Sequence, residues 1–117
     1  MLEIAFAAAM AVCPPTGTRT TCVHDGDTVW IGREKIRLAD IDAPEIKGRC
    51  PYEKALAIKA RNRLVQLLRR PYRIYREGED RYGRTLAVIT VDGRSVGDVL
   101  VAEGLARTWA GRREPWC

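Results

Sequence analysis

Residues 25–45 read DGDTVWIGREKIRLADIDAPE. Within this stretch, Thr28 to Ile31 and Lys35 to Ala39 carry β-branched or apolar residues, and Gly32 lies between them. Such residues favour strands, and glycine favours the turn that joins two strands. The stretch therefore predicts a β-hairpin. It is followed by a loop from Asp40 to Pro51, because three residues there, two prolines and a glycine, interrupt regular structure.

The segments on either side complete the predicted fold. Thr18 to Val23 has strand composition, and Tyr52 to Arg70 carries apolar residues at helical spacing. Tyr72 to Arg76 and Thr85 to Thr90 are two more predicted strands, and Ser95 to Gly104 is a second helix with a serine cap. This order is that of the OB-fold. We expect an α+β protein, a five-stranded OB-fold barrel with a helix between strands 3 and 4 and a second helix near the C-terminus.

Chain length and charge predict one domain with an unusual charge distribution. The 117 residues suit a single core, and 20 Lys and Arg against 15 Asp and Glu give a net charge of +5. Residues 25–45 hold six acids and three bases, whereas residues 46–117 hold 16 bases and eight acids. An acidic island on a basic chain is typical of a cation site within a surface that attracts phosphates. Composition alone favours the alternative, which is solvated surface charge.

The first residues resemble a secretory signal. Ile4 to Val12 are nine apolar residues that end on an A-x-A-like sequence, but no Lys or Arg precedes them. A trimmed signal and a short apolar helix or strand fit this segment equally well, and it is too short to span a bilayer. We expect residues 1–17 to be a signal-like leader and linker, residues 18–117 to be the folded domain, and the protein to be secreted or periplasmic.

Four cysteines allow three pairings, among which the sequence does not choose. The chain has no C-x-x-C pair and one histidine, which argues against a structural zinc site. We expect at least one disulfide among Cys22, Cys50 and Cys117. Buried reduced cysteines are the alternative.

Carboxylates near the predicted strand ends suggest a metal site. If Asp27 begins one strand and Asp42 ends another in the same small barrel, both can reach one hard cation, with carbonyl and water oxygens completing the shell. This chemistry favours Ca²⁺ over zinc. Asp25 is expected to be a turn or supporting residue, and Asp40 a carboxylate that makes the site more acidic.

Four segments in order resemble the thermonuclease family of staphylococcal nuclease-like proteins. They are DGDT at residues 25–28, RLADIDAPE at 37–45, DRYGR at 80–84 and LVAEGLA at 100–106. The resemblance covers about residues 20 to 110. It implies a calcium-dependent nuclease that hydrolyses phosphodiester bonds of DNA and RNA, single strands preferred, with little sugar or sequence specificity. The family's metal ligands correspond to Asp27, Asp42 and the backbone carbonyl of Ala43.

The same resemblance implies catalytic and substrate-binding residues. Glu45 matches the carboxylate that orients or deprotonates the attacking water, and Arg37 and Arg84 match the arginines that hold the scissile phosphate. Arg81 and Tyr82 are the expected substrate contacts. The basic helix face and the arginine-rich C-terminal residues are expected to steer nucleic acid to the site.

The chain departs from the family pattern in two places. Ala43 stands where threonine is common, which removes a hydroxyl but keeps the carbonyl ligand. Ala110 and Arg112 stand about where the family has stacking tyrosines, with Trp109 and Trp116 nearby.

Two other functions remain as alternatives. Taken singly, the site residues could be turn carboxylates and surface ion pairs. The main alternative is a catalytically inactive OB-fold module that binds single strands, and a protein-interaction domain is a third reading. No obligate protein partner or membrane span is indicated, and we expect a monomer.

Overall fold

The computed structural model describes residues 9–117, so most of the signal-like segment lies outside the described residues. The strands are β1 (Cys22–Asp25), β2 (Thr28–Ile31), β3 (Glu34–Leu38), β4 (Ile41–Asp42), β5 (Tyr72–Glu79), β6 (Thr85–Val91), β7 (Arg94–Ser95) and β8 (Arg107–Thr108). The helices are α1 (Pro51–Leu67), between β4 and β5, and α2 (Val96–Ala102), between β7 and β8.

The five longer strands form the main sheet in the order β1-β2-β3-β6-β5. Neighbouring strands are antiparallel except β3 and β6, which are parallel with Arg37 opposite Leu86. The two-residue strand β7 extends the sheet beside β6, and β4 pairs with β8 in a separate ribbon. The predicted α+β OB-fold topology, with a helix between the third and fourth long strands, is confirmed.

The sheet is not closed into a barrel, because β1 and β5 stay at opposite edges in the described part of the chain. Residues 11–13 lie along the edge of β1: Val23 N–H donates to the Ala11 carbonyl at 2.8 Å, and Cys13 N–H donates to the Val23 carbonyl at 2.9 Å. This edge of β1 is thus already hydrogen-bonded to another segment. Met10 is buried in the core. Core packing therefore includes residues on the N-terminal side of Thr18, near which the sequence predicts the start of the folded domain.

The core lies between α1, α2 and the inner face of the sheet. Ala57, Ala60 and Leu64 are the fully buried positions of α1, and they recur at the three- and four-residue spacing that the sequence predicted. The helix ends at Leu67 rather than at the predicted Arg70, since the next residues form a turn before Pro71.

The four cysteines form two disulfides, Cys13–Cys22 and Cys50–Cys117. The expectation of at least one bridge among Cys22, Cys50 and Cys117 is confirmed. Cys50 is the N-cap residue of α1, so the second bridge attaches the C-terminal residues to the start of that helix.

Neither helix in residues 9–117 is both long and apolar enough to cross a membrane.

Candidate active site

The turn between β1 and β2 brings Asp27 close to helix α1 and to the loop after β4. Asp27 N–H donates to Asp25 Oδ1 at 3.2 Å. This hydrogen bond to the side chain two residues earlier is that of an Asx-turn. Gly26 approaches the neighbouring chain so closely that a Cβ there would lie 2.9 Å from the Cβ atoms of Ala43 and Ala60. Glycine at residue 26 is therefore what permits the turn to contact both elements.

Asp27 and Asp42 meet at this contact, although 14 residues separate them. Asp27 Oδ2 accepts a hydrogen bond from the Ala43 backbone N–H at 2.9 Å, and Asp27 Oδ1 accepts one from Thr28 Oγ1 at 3.1 Å. Asp42 is only 2% exposed, and within residues 9–117 neither of its carboxylate oxygens accepts a hydrogen bond, although the Arg113 guanidinium lies 3.3 Å from Oδ1 as an ion pair. Buried carboxylate oxygens without partners are costly, so this pair is suited to a cation.

Arg37 lies beside this pair, near the end of strand β3. Its Nη1 donates to the carbonyls of Leu38 and Ile41, the latter at 2.9 Å, and lies 3.7 Å from Asp27 Oδ2. The centroid of the Trp109 ring is 5.6 Å from its guanidinium carbon. These contacts fix the position of a guanidinium group next to both carboxylates.

Glu45 is held by a residue that the sequence analysis did not identify. Glu53, in the first turn of α1, accepts hydrogen bonds from the backbone N–H groups of Glu45 at 3.1 Å and Arg49 at 2.9 Å. The hydrogen bond from the Arg49 backbone lowers the pKa of Glu53, as does the one from Glu45. Gly48 packs against the Glu53 side chain, where a Cβ would lie 2.5 Å from its Cγ. A glutamate near a helix start is a capping signal, and this one positions the Glu45 backbone while the Glu45 carboxylate stays 58% exposed.

Arg84 is oriented by Asp80 from the start of the β5–β6 loop. Arg84 Nε donates to Asp80 Oδ2 at 2.6 Å, and the backbone N–H groups of Tyr82 and Arg84 donate to Asp80 Oδ1 at 2.9 and 3.0 Å. Burial alone would raise the pKa of Asp80, but these hydrogen bonds lower it. Arg84 stands two positions before Leu86, which pairs with Arg37, and residues two apart along an extended chain share a face. This register is compatible with both guanidinium groups facing the same side of the sheet.

Tyr82 and Arg81 lie at the tip of the same loop. The Tyr82 ring is 69% exposed, and the guanidinium carbons of Arg81 and Arg84 lie 5.1 and 5.6 Å from its centroid. An exposed ring flanked by cations can stack on a nucleic-acid base.

Arg113, in the C-terminal residues, contacts both Asp42 and Glu45. Its Nη2 lies 3.3 Å from Asp42 Oδ1 and 3.2 Å from Glu45 Oε2. A cleft of about 450 Å³ opens beside this contact, between residues 45–49 and residues 113–117.

Asp40 does not join the site. Its Oδ2 accepts a hydrogen bond from Ser95 Oγ at 2.5 Å, and its carboxylate lies against Gly97 at the start of α2. The expectation that Asp40 makes the site more acidic is wrong, because the chain turns after β3 and directs this side chain toward α2.

Burial and mutual repulsion disfavour negative charge at two of the carboxylates. Burial, followed by the nearby Asp27 charge, raises the pKa of Asp25 to about 8. Burial also raises the pKa of Asp42, although Arg113 opposes this effect. Among residues 9–117, no three His, Cys, Asp or Glu side chains converge as metal ligands. Asp27 and Asp42 are the two carboxylates that the β1–β2 turn and the end of β4 bring together.

Asp25→Asn is expected to change the pH dependence of stability in chelator-containing buffer. The folded-state pKa of Asp25 is about 8 against an ordinary value of 3.8. The unfolded chain therefore loses this proton first, and the free energy of unfolding falls as pH rises between these values, by at most about 1.4 kcal/mol per pH unit. Asp25→Asn keeps the side-chain oxygen that accepts from Asp27 N–H but has no carboxyl proton. Its free energy of unfolding therefore lacks this contribution to the pH dependence. Urea unfolding across this range measures it, and equal slopes in the two proteins would contradict the expectation.

Comparisons with known proteins identify the family of this chain. Residues 35–115 match the family model described as staphylococcal nuclease homologue. The chain is 38% identical over 94 residues to a thermonuclease of Staphylococcus intermedius, covering 73% of this chain and 55% of the relative. It is 36% identical over 104 residues to a micrococcal nuclease of Shigella flexneri, covering 77% and 55%. It is also 36% identical over 98 residues to an uncharacterized endonuclease of Haemophilus influenzae, covering 79% and 51%. The chain thus spans about half the length of these relatives.

Proposed function

The chain belongs to the staphylococcal nuclease homologue family, and on that basis we propose that it is a calcium-dependent nuclease that hydrolyses phosphodiester bonds of DNA and RNA. The observation that supports this most directly is the 2.9 Å hydrogen bond from Ala43 N–H to Asp27 Oδ2. It joins the turn that carries Asp27 to the residue that follows Asp42 at the end of β4, and Arg37 lies beside Asp27.

The proposed metal ligands are Asp27, Asp42 and the backbone carbonyl of Ala43. The buried oxygens of Asp42 accept no hydrogen bond within residues 9–117 and already face the positive charge of Arg113, so they fit a cation, and an all-oxygen set is the one that calcium prefers. When bound, calcium would act as a Lewis acid on a phosphoryl oxygen.

The proposed catalytic residues are Glu45, Arg37 and Arg84. Glu45 has an exposed carboxylate on a backbone held by Glu53, so it can accept a proton from a water molecule that attacks phosphorus. Arg37 and Arg84 would donate hydrogen bonds to the phosphate oxygens and stabilise the charge that develops on them. Both guanidinium groups are already oriented by protein acceptors, so less ordering is needed when substrate binds.

Arg81 and Tyr82 are the proposed substrate contacts outside the reacting phosphate. The exposed Tyr82 ring offers a stacking surface for a base of a single strand, and Arg81 adds a positive charge beside it. Stacking needs an unpaired base, which supports a preference for single-stranded DNA and RNA.

Two disulfides support the proposal that the protein works in an oxidising compartment, as a secreted or periplasmic enzyme. Disulfides persist in such compartments and are rare in the reducing cytosol.

Incubation of the full chain with single-stranded DNA and RNA tests the proposed activity. We expect cleavage of both in Ca²⁺, complete loss of cleavage in excess EGTA, and recovery when Ca²⁺ is added back. Gel electrophoresis of end-labelled strands measures it. Cleavage that EGTA leaves unchanged would refute the metal assignment.

Binding without cleavage would instead favour the inactive OB-fold module. That alternative explains the basic surface but gives no benefit for burying Asp27 and Asp42 where phosphates must approach, since carboxylates repel them.

A further inference from the structure

The C-terminal residues 111–117, called the tail below, are fixed across the site. The Cys50–Cys117 disulfide attaches one end of the tail to the N-cap of α1. Arg107 Nη1 donates to the carbonyls of Glu114 and Pro115 at 3.2 and 3.1 Å. The tail is therefore held at two places, both on the C-terminal side of Arg113.

Arg113 occupies a central position between two functional carboxylates. One nitrogen, Nη2, lies within 3.3 Å of both Asp42 Oδ1 and Glu45 Oε2. The side chain is 49% exposed, so it can leave this position without unfolding its surroundings. Neighbouring Arg112 behaves differently, since its Nε bonds to Glu114 in the tail itself at 2.7 Å.

We infer that Arg113 is a tethered counter-ion that competes with the divalent cation for Asp42 and so sets the metal affinity of the site. The inference rests on the proposed function in one respect, the role of Asp42 as a metal ligand. Asp42 is buried and needs a positive charge nearby, and Arg113 lies within ion-pair distance of it. A divalent ion at the same carboxylate repels the guanidinium at this distance, so binding requires Arg113 to withdraw.

The disulfide makes this competition effective. A tether of four residues, from Arg113 to Cys117, keeps the guanidinium at a high local concentration near Asp42. Reduction of the bridge would remove one of the two attachments of the tail, leaving the hydrogen bonds from Arg107, and would lower that concentration. Metal affinity is thereby coupled to the oxidation state of Cys50 and Cys117.

Calorimetric titration of the full, oxidised chain with CaCl₂ tests the competition. Arg113→Gln is expected to lower the dissociation constant for Ca²⁺ by roughly three- to tenfold, because the competing ion pair, half-exposed and of modest strength, is lost. Arg112→Gln removes the same charge from the adjacent position and is expected to leave the constant unchanged.

The outcomes separate this inference from the proposed function. An Arg113→Gln constant equal to or weaker than that of the wild type overturns the inference and leaves the calcium site intact. Absence of Ca²⁺ binding in both proteins overturns the metal assignment itself, and the inference with it. An unchanged Ca²⁺ constant with a raised KM for DNA would make Arg113 a substrate contact instead, which also overturns the inference.

A second comparison tests the tether. Replacing Cys50 and Cys117 together by serine is expected to tighten Ca²⁺ binding in the same direction as Arg113→Gln. Adding Arg113→Gln to that double variant should then change the constant little, since the two changes remove one interaction. Additive effects would overturn the coupling to the disulfide, and if circular dichroism shows the serine variant unfolded, the Arg113→Gln titration decides alone.

Discussion

Glu45→Gln is expected to slow the cleavage of DNA and RNA by about 10²- to 10⁴-fold, the usual contribution of a general base. The amide keeps the size of the side chain but cannot accept a proton from the attacking water. Folding should be unaffected, because the side chain is 58% exposed and the backbone N–H that contacts Glu53 is retained. The kcat of the purified variant at saturating Ca²⁺ measures the effect.

A matched control separates the chemistry of Glu45 from its charge. Glu77→Gln removes one negative charge from an exposed position in β5 and is expected to keep wild-type activity. Full activity in Glu45→Gln would show that another group activates the water. A loss of equal size in Glu77→Gln would show that net charge, not position, determines the rate.

The approach of the end of β3 to Asp27 could be predicted from the sequence because local signals specify it. The Asp-Gly turn fixes the start of β2, and the strand pattern fixes β3, which pairs with β2 in a short hairpin. Once the hairpin register is set, the end of β3 returns to the start of β2, where Leu38 N–H donates to the Asp27 carbonyl at 2.8 Å. Neither step needs a distant part of the chain.

The contact of Arg113 with Asp42 and Glu45 could not be predicted in this way. It depends on the Cys50–Cys117 pairing, and four cysteines allow three pairings that the sequence does not distinguish. Without the pairing, Arg113 is one arginine among several near the C-terminus. The sequence therefore predicts only a role in substrate steering for these arginines.

The short strands were missed for a related reason. Strands β4, β7 and β8 have two residues each, too few to show an alternating pattern. Strand β4 exists because Ile41 and Asp42 pair with Thr108 and Arg107, which are more than 60 residues away. This pairing fixes the Asp42 backbone, so part of the site's geometry depends on a tertiary contact.

Arg84 is the residue for which we expect the second large effect. Its guanidinium group is held by Asp80 at 2.6 Å and lies over the Tyr82 ring, just before β6. A fixed guanidinium can donate two parallel hydrogen bonds to a phosphate, and it stabilises charge that appears only in the transition state. Removing it should therefore lower kcat more than it raises KM.

Arg84→Ala is expected to reduce kcat by about 10²- to 10³-fold, similar to the loss of one donor to a developing oxyanion. Arg84→Lys should recover only part of this loss, because an ammonium group cannot form the paired hydrogen bonds of a guanidinium. Arg81→Ala, which removes the same charge from the loop tip, is expected to raise KM with little change in kcat. Steady-state kinetics on a single-stranded oligonucleotide separate the two effects.

Asp80→Asn completes the test of Arg84, since it keeps an acceptor for the Tyr82 and Arg84 N–H groups but removes the charge that orients the guanidinium. We expect a kcat between those of the wild type and Arg84→Ala, and no further loss when Asp80→Asn is added to Arg84→Ala, because the two residues act as one unit. Wild-type kcat in Arg84→Ala would remove Arg84 from the catalytic set. Independent, additive losses would instead mean that Asp80 supports the loop and Tyr82 rather than the orientation of Arg84.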